Sequence, residues 1–241
     1  MTETPVVVIE EPKGTPEQPN FRGRSVLIAI PTYDGKVQVE TMGCVLQAAD
    51  MIRGFGGQCG ITYVKGYPHI AKARNALAKH FCASLATDLL FLDADIEFSP
   101  SALPFCMAQD KDIIGVACRV RDDKVRYKVH LRERDGVYEA EGSLLKADRM
   151  GTGFMLIKRQ VMETLRKSVP TYRQDGQDYP LLFHMPVTEE GYVGEDYYFC
   201  DLAREAGFEL FLSPQPVMTH YGAKAYSGSF ADDILTKEEA A

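Results

Sequence analysis

The sequence predicts an α/β fold: a mostly parallel sheet flanked by helices, with a small antiparallel hairpin. Three observations point there. Short apolar runs alternate with segments of helical spacing through the first half of the chain, the pattern of βαβ units. The apolar runs end in turn formers or carboxylates, as strands do at a sheet edge. Beyond Cys118, polar and apolar residues alternate around Asp135-Gly136, the signature of a hairpin turn.

Taken in order, residues 1 to about 22 are rich in Pro, Glu and Thr and read as a flexible leader. Ser25-Val26-Leu27-Ile28-Ala29-Ile30, closed by Pro31, is a buried strand. Residues 37–53 have helical spacing and stop at Gly54, and residues 59–65 form a second strand. Pro68 suits the first turn of a helix, which residues 69–85 continue. Thr87-Asp88-Leu89-Leu90-Phe91-Leu92 is a third strand and runs into Asp93-Ala94-Asp95. Ser99-Pro100 opens another helix, and Asp112 to Cys118 is a fourth strand. Gly153-Phe154-Met155-Leu156-Ile157 is a further strand, followed by a helix over 159–168. Residues 170–194 hold several Pro, Gly and Asp and read as a long loop, a kind of segment that is usually functional or mobile. Gly194-Glu195-Asp196 opens a helix that Gly207 ends. Residues 208–212 and 216–220 are short strands. The expected organisation is a leader over 1–22, one domain over 23–226 and a loose tail over 227–241.

The 241 residues suit a single sizeable core, and 45% hydrophobic with 25% charged residues is ordinary for a globular chain. A net charge of -7 argues against a protein whose main work is holding nucleic-acid phosphates. The six cysteines include no C-x-x-C pair, which argues against a zinc cluster. They read as buried free thiols of a reducing compartment. No apolar run approaches the length of a membrane span. Val6-Val7-Val8-Ile9 lacks a preceding basic region and is not a signal peptide. A cytoplasmic location is expected.

Five features carry chemistry. Asp93 and Asp95 follow an apolar strand, where two carboxylates can reach one cation and a sugar phosphate bound to it; oxygen ligands suit Mg²⁺ and Mn²⁺. Aspartates also end strands without any such duty. Pro31-Thr32-Tyr33-Asp34-Gly35 ends the first strand, on the same edge in a parallel sheet, and can cradle a base and ribose; it can equally be an ordinary turn. Arg74, within Ala73-Arg74-Asn75, can reach inward to fork onto a diphosphate, or lie on a solvated face with Lys72 and Lys79. Glu195 and Asp196 suit a helix first turn on dipole grounds alone, and either can serve as a general base toward a hydroxyl. His220, in Thr219-His220-Tyr221-Gly222, follows the last strand.

In this order the features resemble the GT-A glycosyltransferases, in particular the family-2-like group, from about Ser25 to Gly222. The carrying motifs are Pro31-Thr32-Tyr33-Asp34, Ala73-Arg74-Asn75, Leu90-Phe91-Leu92-Asp93-Ala94-Asp95, Gly151-Thr152-Gly153-Phe154-Met155, Gly194-Glu195-Asp196-Tyr197-Tyr198-Phe199 and His220. The resemblance implies a GT-A, Rossmann-like fold and a nucleotide-diphosphate sugar as donor, UDP- or GDP-linked. It implies Mn²⁺ or Mg²⁺ held by Asp93, Asp95 and His220. Pro31, Thr32, Tyr33 and Asp34 would line the base pocket, with Asp93 and Ala94 at the ribose side. Arg74 would touch the diphosphate, and Gly153 would let backbone approach the sugar. Asp196 would be the base of an inverting transfer, with Glu195 second. The Gln/Arg-rich acceptor motif common in that group is missing, so the acceptor is open.

Two other functions compete. A nucleotidyltransferase can use a similar sheet and paired aspartates, but normally carries a Gly- and Arg-rich phosphate loop after its first strand; Pro31-Thr32-Tyr33-Asp34-Gly35 has one Gly and no Arg. A binding module without catalysis would not need Asp93, Asp95, Glu195, Asp196 and His220 together. The acceptor can be a glycan or a modified base in nucleic acid. For the latter, residues 119–134 offer Arg119, Arg121, Lys124, Arg126, Lys128, Arg132 and Arg134 on a predicted hairpin. The 170–194 segment is a candidate lid that excludes water.

Overall fold

The computed structural model describes residues 18–189 and 191–235. The chain runs β1 (Ser25–Pro31), α1 (Val39–Gly54), β2 (Gln58–Val64), α2 (Ile70–Ala83), β3 (Asp88–Leu92), β4 (Ile96–Phe98), α3 (Ala102–Ala108) and β5 (Ile113–Val116). It continues through β6 (Val129–Leu131), β7 (Glu133–Arg134), β8 (Val137–Tyr138), β9 (Ala140–Glu141), β10 (Leu144–Met150), β11 (Phe154–Lys158) and α4 (Arg159–Ser168). The last part holds β12 (Thr171–Gln174), β13 (Gln177–Pro180), β14 (Val187–Thr188), β15 (Gly191–Tyr192), α5 (Glu195–Glu205), β16 (Leu210–Ser213), β17 (Met218–Tyr221) and β18 (Ala225–Gly228), then a π-helical turn over Ala231–Leu235.

The central sheet has nine strands in the order β2-β1-β3-β11-β5-β16-β10-β6, with β9 beside β10. β1 pairs in parallel with β2 and β3, and β16 with β5. β11 and β10 run against their neighbours. All other strands of the sheet therefore share one direction, which is the mostly parallel α/β architecture expected.

Burial on both faces explains why the central strands read as unbroken apolar runs. Along β1 the side chains alternate, Val26, Ile28 and Ile30 facing α1 and α3, Leu27 and Ala29 facing α2. β3 divides likewise, with Leu90 and Leu92 on one side and Leu89 and Phe91 on the other. Helices α1 and α3 cover one face; α2, α4 and α5 cover its opposite. On the second face Phe91, Phe183 and Phe199 pack ring to ring, at 5.2 and 4.8 Å between centroids.

Several expectations are corrected. β10 lies inside the sheet although no strand was expected over 144–150, because Lys146, Asp148 and Arg149 interrupt its apolar residues. Those charges face outward into ion pairs with Glu209, Arg132 and Asp201. The 170–194 segment is not a plain loop. It folds into the hairpins β12–β13 and β14–β15, and Leu182 and Phe183 between them are fully buried. The leader expected over 1–22 lies for residues 1–17 outside the described residues. Its last part is packed, since Phe21 is buried and its amide donates to the Phe55 carbonyl at 2.8 Å. The tail expected to be loose from 227 begins inside β18; Phe230 is buried against Ala117, Leu145 and Leu212, and Ala231 is buried as well. Residues 236–241 lie outside the described residues.

All six cysteines are free, as expected, but only Cys44, Cys106 and Cys200 are buried; Cys59, Cys82 and Cys118 are half-buried. Burial pushes the Cys59 thiol up to about 11 and those of Cys106 and Cys200 up to about 12, which keeps them protonated and unreactive. Among the described residues no helix is long and apolar enough to cross a membrane.

Candidate active site

Strands of one direction bring their carboxyl ends to one edge, where open α/β sheets bind ligands. β1 delivers Pro31-Thr32-Tyr33-Asp34 there, β3 delivers Asp93-Ala94-Asp95, and β5 delivers Ala117 and Cys118. β11 runs the other way, so it is its beginning that arrives at this edge: the Asp93 amide donates to the Gly153 carbonyl at 3.0 Å. A Cβ on Gly153 would stand 3.4 Å from Asp93 Oδ2 and from Cys118 Sγ, so glycine gives the carboxylate its room. The first turn of α5 adds Glu195 and Asp196, and β17 adds His220 through its pairing with β4.

Two cavities meet at Arg74 and Asp93. The wider, about 540 Å³, is lined by Pro31 to Asp34, by Lys36 to Gln38 and by Asp93 to Asp95 and Arg121. Its β1 turn is held by side chains. Thr32 Oγ1 donates to the Lys36 carbonyl at 2.8 Å, and Asp34 accepts from the Lys36 amide at 3.1 Å. The bonds from Lys36 hold the exposed Asp34 carboxyl below its ordinary pKa. Gln38 N–H donates to the Ala94 carbonyl at 2.8 Å and ties this turn to the aspartate loop. Tyr33 is 70% exposed, so its ring is open to a planar ligand.

The second cavity, about 250 Å³, runs deeper and is lined by Ala117 to Val120, Lys128, Gly151 to Gly153, Glu195, Asp196 and His220. Arg74, 4% exposed, separates the two. It donates to the Glu195 carboxylate and, at 3.1 Å, to Asp93 Oδ1. Burial opposes its charge, but Asp93 and Glu195 outweigh burial and raise its pKa, so it stays a guanidinium. Asp196, 3% exposed, pairs with Lys128 Nζ at 2.6 Å. Three buried polar atoms of residues lining this cavity, Arg74 Nε, Arg119 Nε and Thr152 Oγ1, have no partner among the described residues. Buried polar groups are nearly always satisfied, so the three mark this lining as short of a partner.

On the far side of Asp95 lie His220 and Arg121. His220 Nδ1 is 3.0 Å from the Arg119 carbonyl, and its Nε2 is 3.5 Å from Asp95 Oδ1. Burial pushes the His220 pKa below the ordinary imidazole value; the Arg119 carbonyl opposes this and the Arg121 guanidinium adds to it. Among the described residues no three His, Cys, Asp or Glu side chains gather closely enough to hold a metal ion unaided.

Every site residue expected from the sequence lies on this edge, lining one cavity or both. Asn75, quoted with Arg74, does something else: it pins the Leu182-Phe183 backbone with three hydrogen bonds. Sequence reasoning assigned no site role to Arg121, Lys128, Thr152, Lys36 or Cys118. The first two were legible only as members of a basic stretch.

The hairpin expected to carry that basic stretch requires correction. Only β7–β8, turning at Asp135 and Gly136 with φ of 55° and 78°, is a hairpin in its own right. Residues 119–128 form a loop at the cavity mouth, and β6 joins the sheet. Arg121 and Lys128 pair with Asp95 and Asp196 of the site and Arg132 with Asp148 and Glu209, while Arg126 and Arg134 form exposed pairs with Asp122 and Glu139.

No protein-family model matches the chain, and no curated protein matches it by sequence. Among solved structures the chain is similar to the inositol-1-phosphate CTP transferase from T. maritima, at 14% identity and a TM-score of 0.43, over 85% of this chain and 91% of that one. It is similar to S. aureus TarS at 13% identity and a TM-score of 0.41, over 85% of this chain and 36% of that one. A third is a glycosyltransferase involved in glycosylation of the major capsid of PBCV-1, at 11% identity and a TM-score of 0.31, over 60% of this chain and 69% of that one. Likenesses this partial do not bear on activity.

Proposed function

We propose that the chain is a metal-assisted glycosyltransferase, moving a sugar from a nucleoside-diphosphate donor to an acceptor hydroxyl. The observation that carries this reading is the pair of cavities meeting at Arg74 and Asp93. One is wide and polar enough for a nucleotide. The other is small, deep and furnished with carboxylates and three polar atoms without a partner among the described residues.

The carboxylates of Asp93 and Asp95 with the His220 imidazole form a mixed oxygen and nitrogen donor set that fits Mn²⁺, and Mg²⁺ less well. Too few to enclose an ion alone, they fit a metal whose shell is completed by the donor's phosphates. When bound there, such a metal would supply positive charge toward the diphosphate.

Arg74, which lines both cavities, would donate to the same phosphates from the other side. Glu195 is bound to Arg74, so its role is to orient that guanidinium. Asp196 is the base, lining the deep cavity at the acceptor side and paired with Lys128. Tyr33 and the turn held by Asp34 and Lys36 would receive the base and ribose. Direct displacement, the acceptor hydroxyl giving its proton to Asp196 as the diphosphate leaves, inverts the anomeric carbon.

The test is release of nucleoside diphosphate from a panel of UDP- and GDP-sugars with Mn²⁺, Mg²⁺ or EDTA, with Asp95→Ala as control. Metal-dependent release from one donor, lost in the variant, supports the reading. Release of pyrophosphate from a nucleoside triphosphate instead would assign nucleotidyl transfer. Binding without release of either would leave a binding module.

A further inference from the structure

The surroundings of Asp95 hold a side chain that the proposed chemistry does not use. The Arg119 carbonyl that faces His220 Nδ1 can only accept, so Nδ1 carries the proton and Nε2 presents a lone pair. That lone pair and the Asp95 carboxylate converge at 3.5 Å. Two acceptors aimed at one point need a cation or a donor between them, and Arg121 is both. Its Nη2 donates to Asp95 Oδ2, and its Nε donates to His220 Nε2 at 2.9 Å.

The seat is cut to this side chain. A Cβ on Gly222 would stand 2.9 Å from Arg121 Cδ and 3.5 Å from its Cγ, so any larger residue there would push the arginine stem away. Arg121 is also free to leave. Its side chain is 44% exposed, and it rides the 119–128 loop, whose one ladder contact is the Arg119–Tyr127 bridge. It also lines the wide cleft.

We propose that Arg121 and a divalent ion are alternative occupants of the seat between Asp95 and His220, exchanged as a nucleoside diphosphate enters. The inference rests on the glycosyltransferase reading above. Guanidinium and metal cannot share two acceptors without strong repulsion. The ion therefore binds poorly alone and well with a diphosphate, whose charge rewards both cations. Metal and nucleotide affinities become coupled through one arginine, and coupling of this kind is reciprocal.

The experiment is Mn²⁺ binding to the full chain, read from the electron paramagnetic resonance signal of free Mn²⁺, with and without UDP or GDP. In the unaltered protein Mn²⁺ should bind weakly alone and much more tightly with the nucleotide. Arg121→Met should bind Mn²⁺ alone about 10- to 100-fold more tightly, the scale of one like charge removed at a few ångströms in a half-exposed site. Gly222→Ala, which leaves both ligands and the arginine charge in place, should move in the same direction. Asp95→Asn should lose the gain in either background, and thermal melting confirms that each variant is folded. Unchanged or weaker Mn²⁺ binding by Arg121→Met overturns the proposal. Nucleotide binding without Mn²⁺ binding in any variant also overturns it, while leaving a transferase that uses Arg121 as its permanent cation. Failure to bind nucleotide at all removes the reading beneath it.

Discussion

Thr152 is fully buried, lines the deep cavity and has no partner for its hydroxyl. A hydroxyl kept for folding would be bonded within the protein. Replacing an unbonded one by an apolar group of the same shape costs little and can stabilise. Thr152→Val is therefore expected to hold or slightly raise the melting temperature while raising KM for one substrate several-fold. A fall in melting temperature with KM unchanged would make the residue structural. Asp196 and Glu195 are separable by the same logic. Asp196→Asn keeps size and polarity but cannot take a proton, so kcat should fall by about 10²- to 10⁴-fold with donor binding retained. Glu195→Gln leaves the Arg74 fork weakened, and its effect should fall on donor binding. The measurement is nucleotide affinity beside single-turnover rate; a rate loss in Glu195→Gln equal to that in Asp196→Asn would undo the division of roles.

Helix α2 reaches the site through Arg74 and the far segment through Asn75, whose Oδ1 accepts the Leu182 and Phe183 amides at 3.1 and 2.8 Å. Asn75→Ala leaves two buried amides without an acceptor, a loss of roughly 2–4 kcal/mol. Denaturant unfolding should show it, and limited proteolysis should open first within 170–194; an unchanged cleavage pattern would mean that the phenylalanine stack alone holds the segment. What the sequence disclosed at this scale followed how much of each signal was local. β1, β3 and β11 were legible because burial on both faces writes itself as an apolar run. Gly207, with φ of 89°, marked a helix end because the chain turns there, whereas Gly54 is the last helical residue of α1 and the turn itself falls on Gly56. β4, three residues long, and β10, with charges satisfied only by distant partners, had no such local record. The β12–β13 hairpin was legible and passed over: Asp175-Gly176 takes φ of 50° and 74°, the conformation of Asp135-Gly136, yet sat among prolines and polar residues that read as loop.

Across the whole molecule, the site residues were legible in kind because strand ends must carry the ligands of a parallel sheet. The counter-charges that organise them were not, since Lys128 and Arg121 meet Asp196 and Asp95 across 68 and 26 positions of chain. The C-terminal segment has a similar hidden link. Phe230 packs edge-on against Tyr127 at 5.3 Å, Tyr127 Oη donates to Asp233 at 2.6 Å, and Arg119 donates to the Ser227 carbonyl at 3.3 Å. These contacts brace the loop that carries Arg121 and Lys128. Phe230→Ala should cost about 3–5 kcal/mol as a buried aromatic truncation. If it also slackens the loop, KM for the donor should rise several-fold well below the melting temperature. Leu165→Ala in α4 supplies the comparison, for Leu165 is buried in the core of the other face and lines neither cavity. It should lose about 2–5 kcal/mol of stability with KM unchanged. Equal KM values in the two variants would mean that the C-terminal segment only fills the core; a rise confined to Phe230→Ala would make it a brace for the active-site loop.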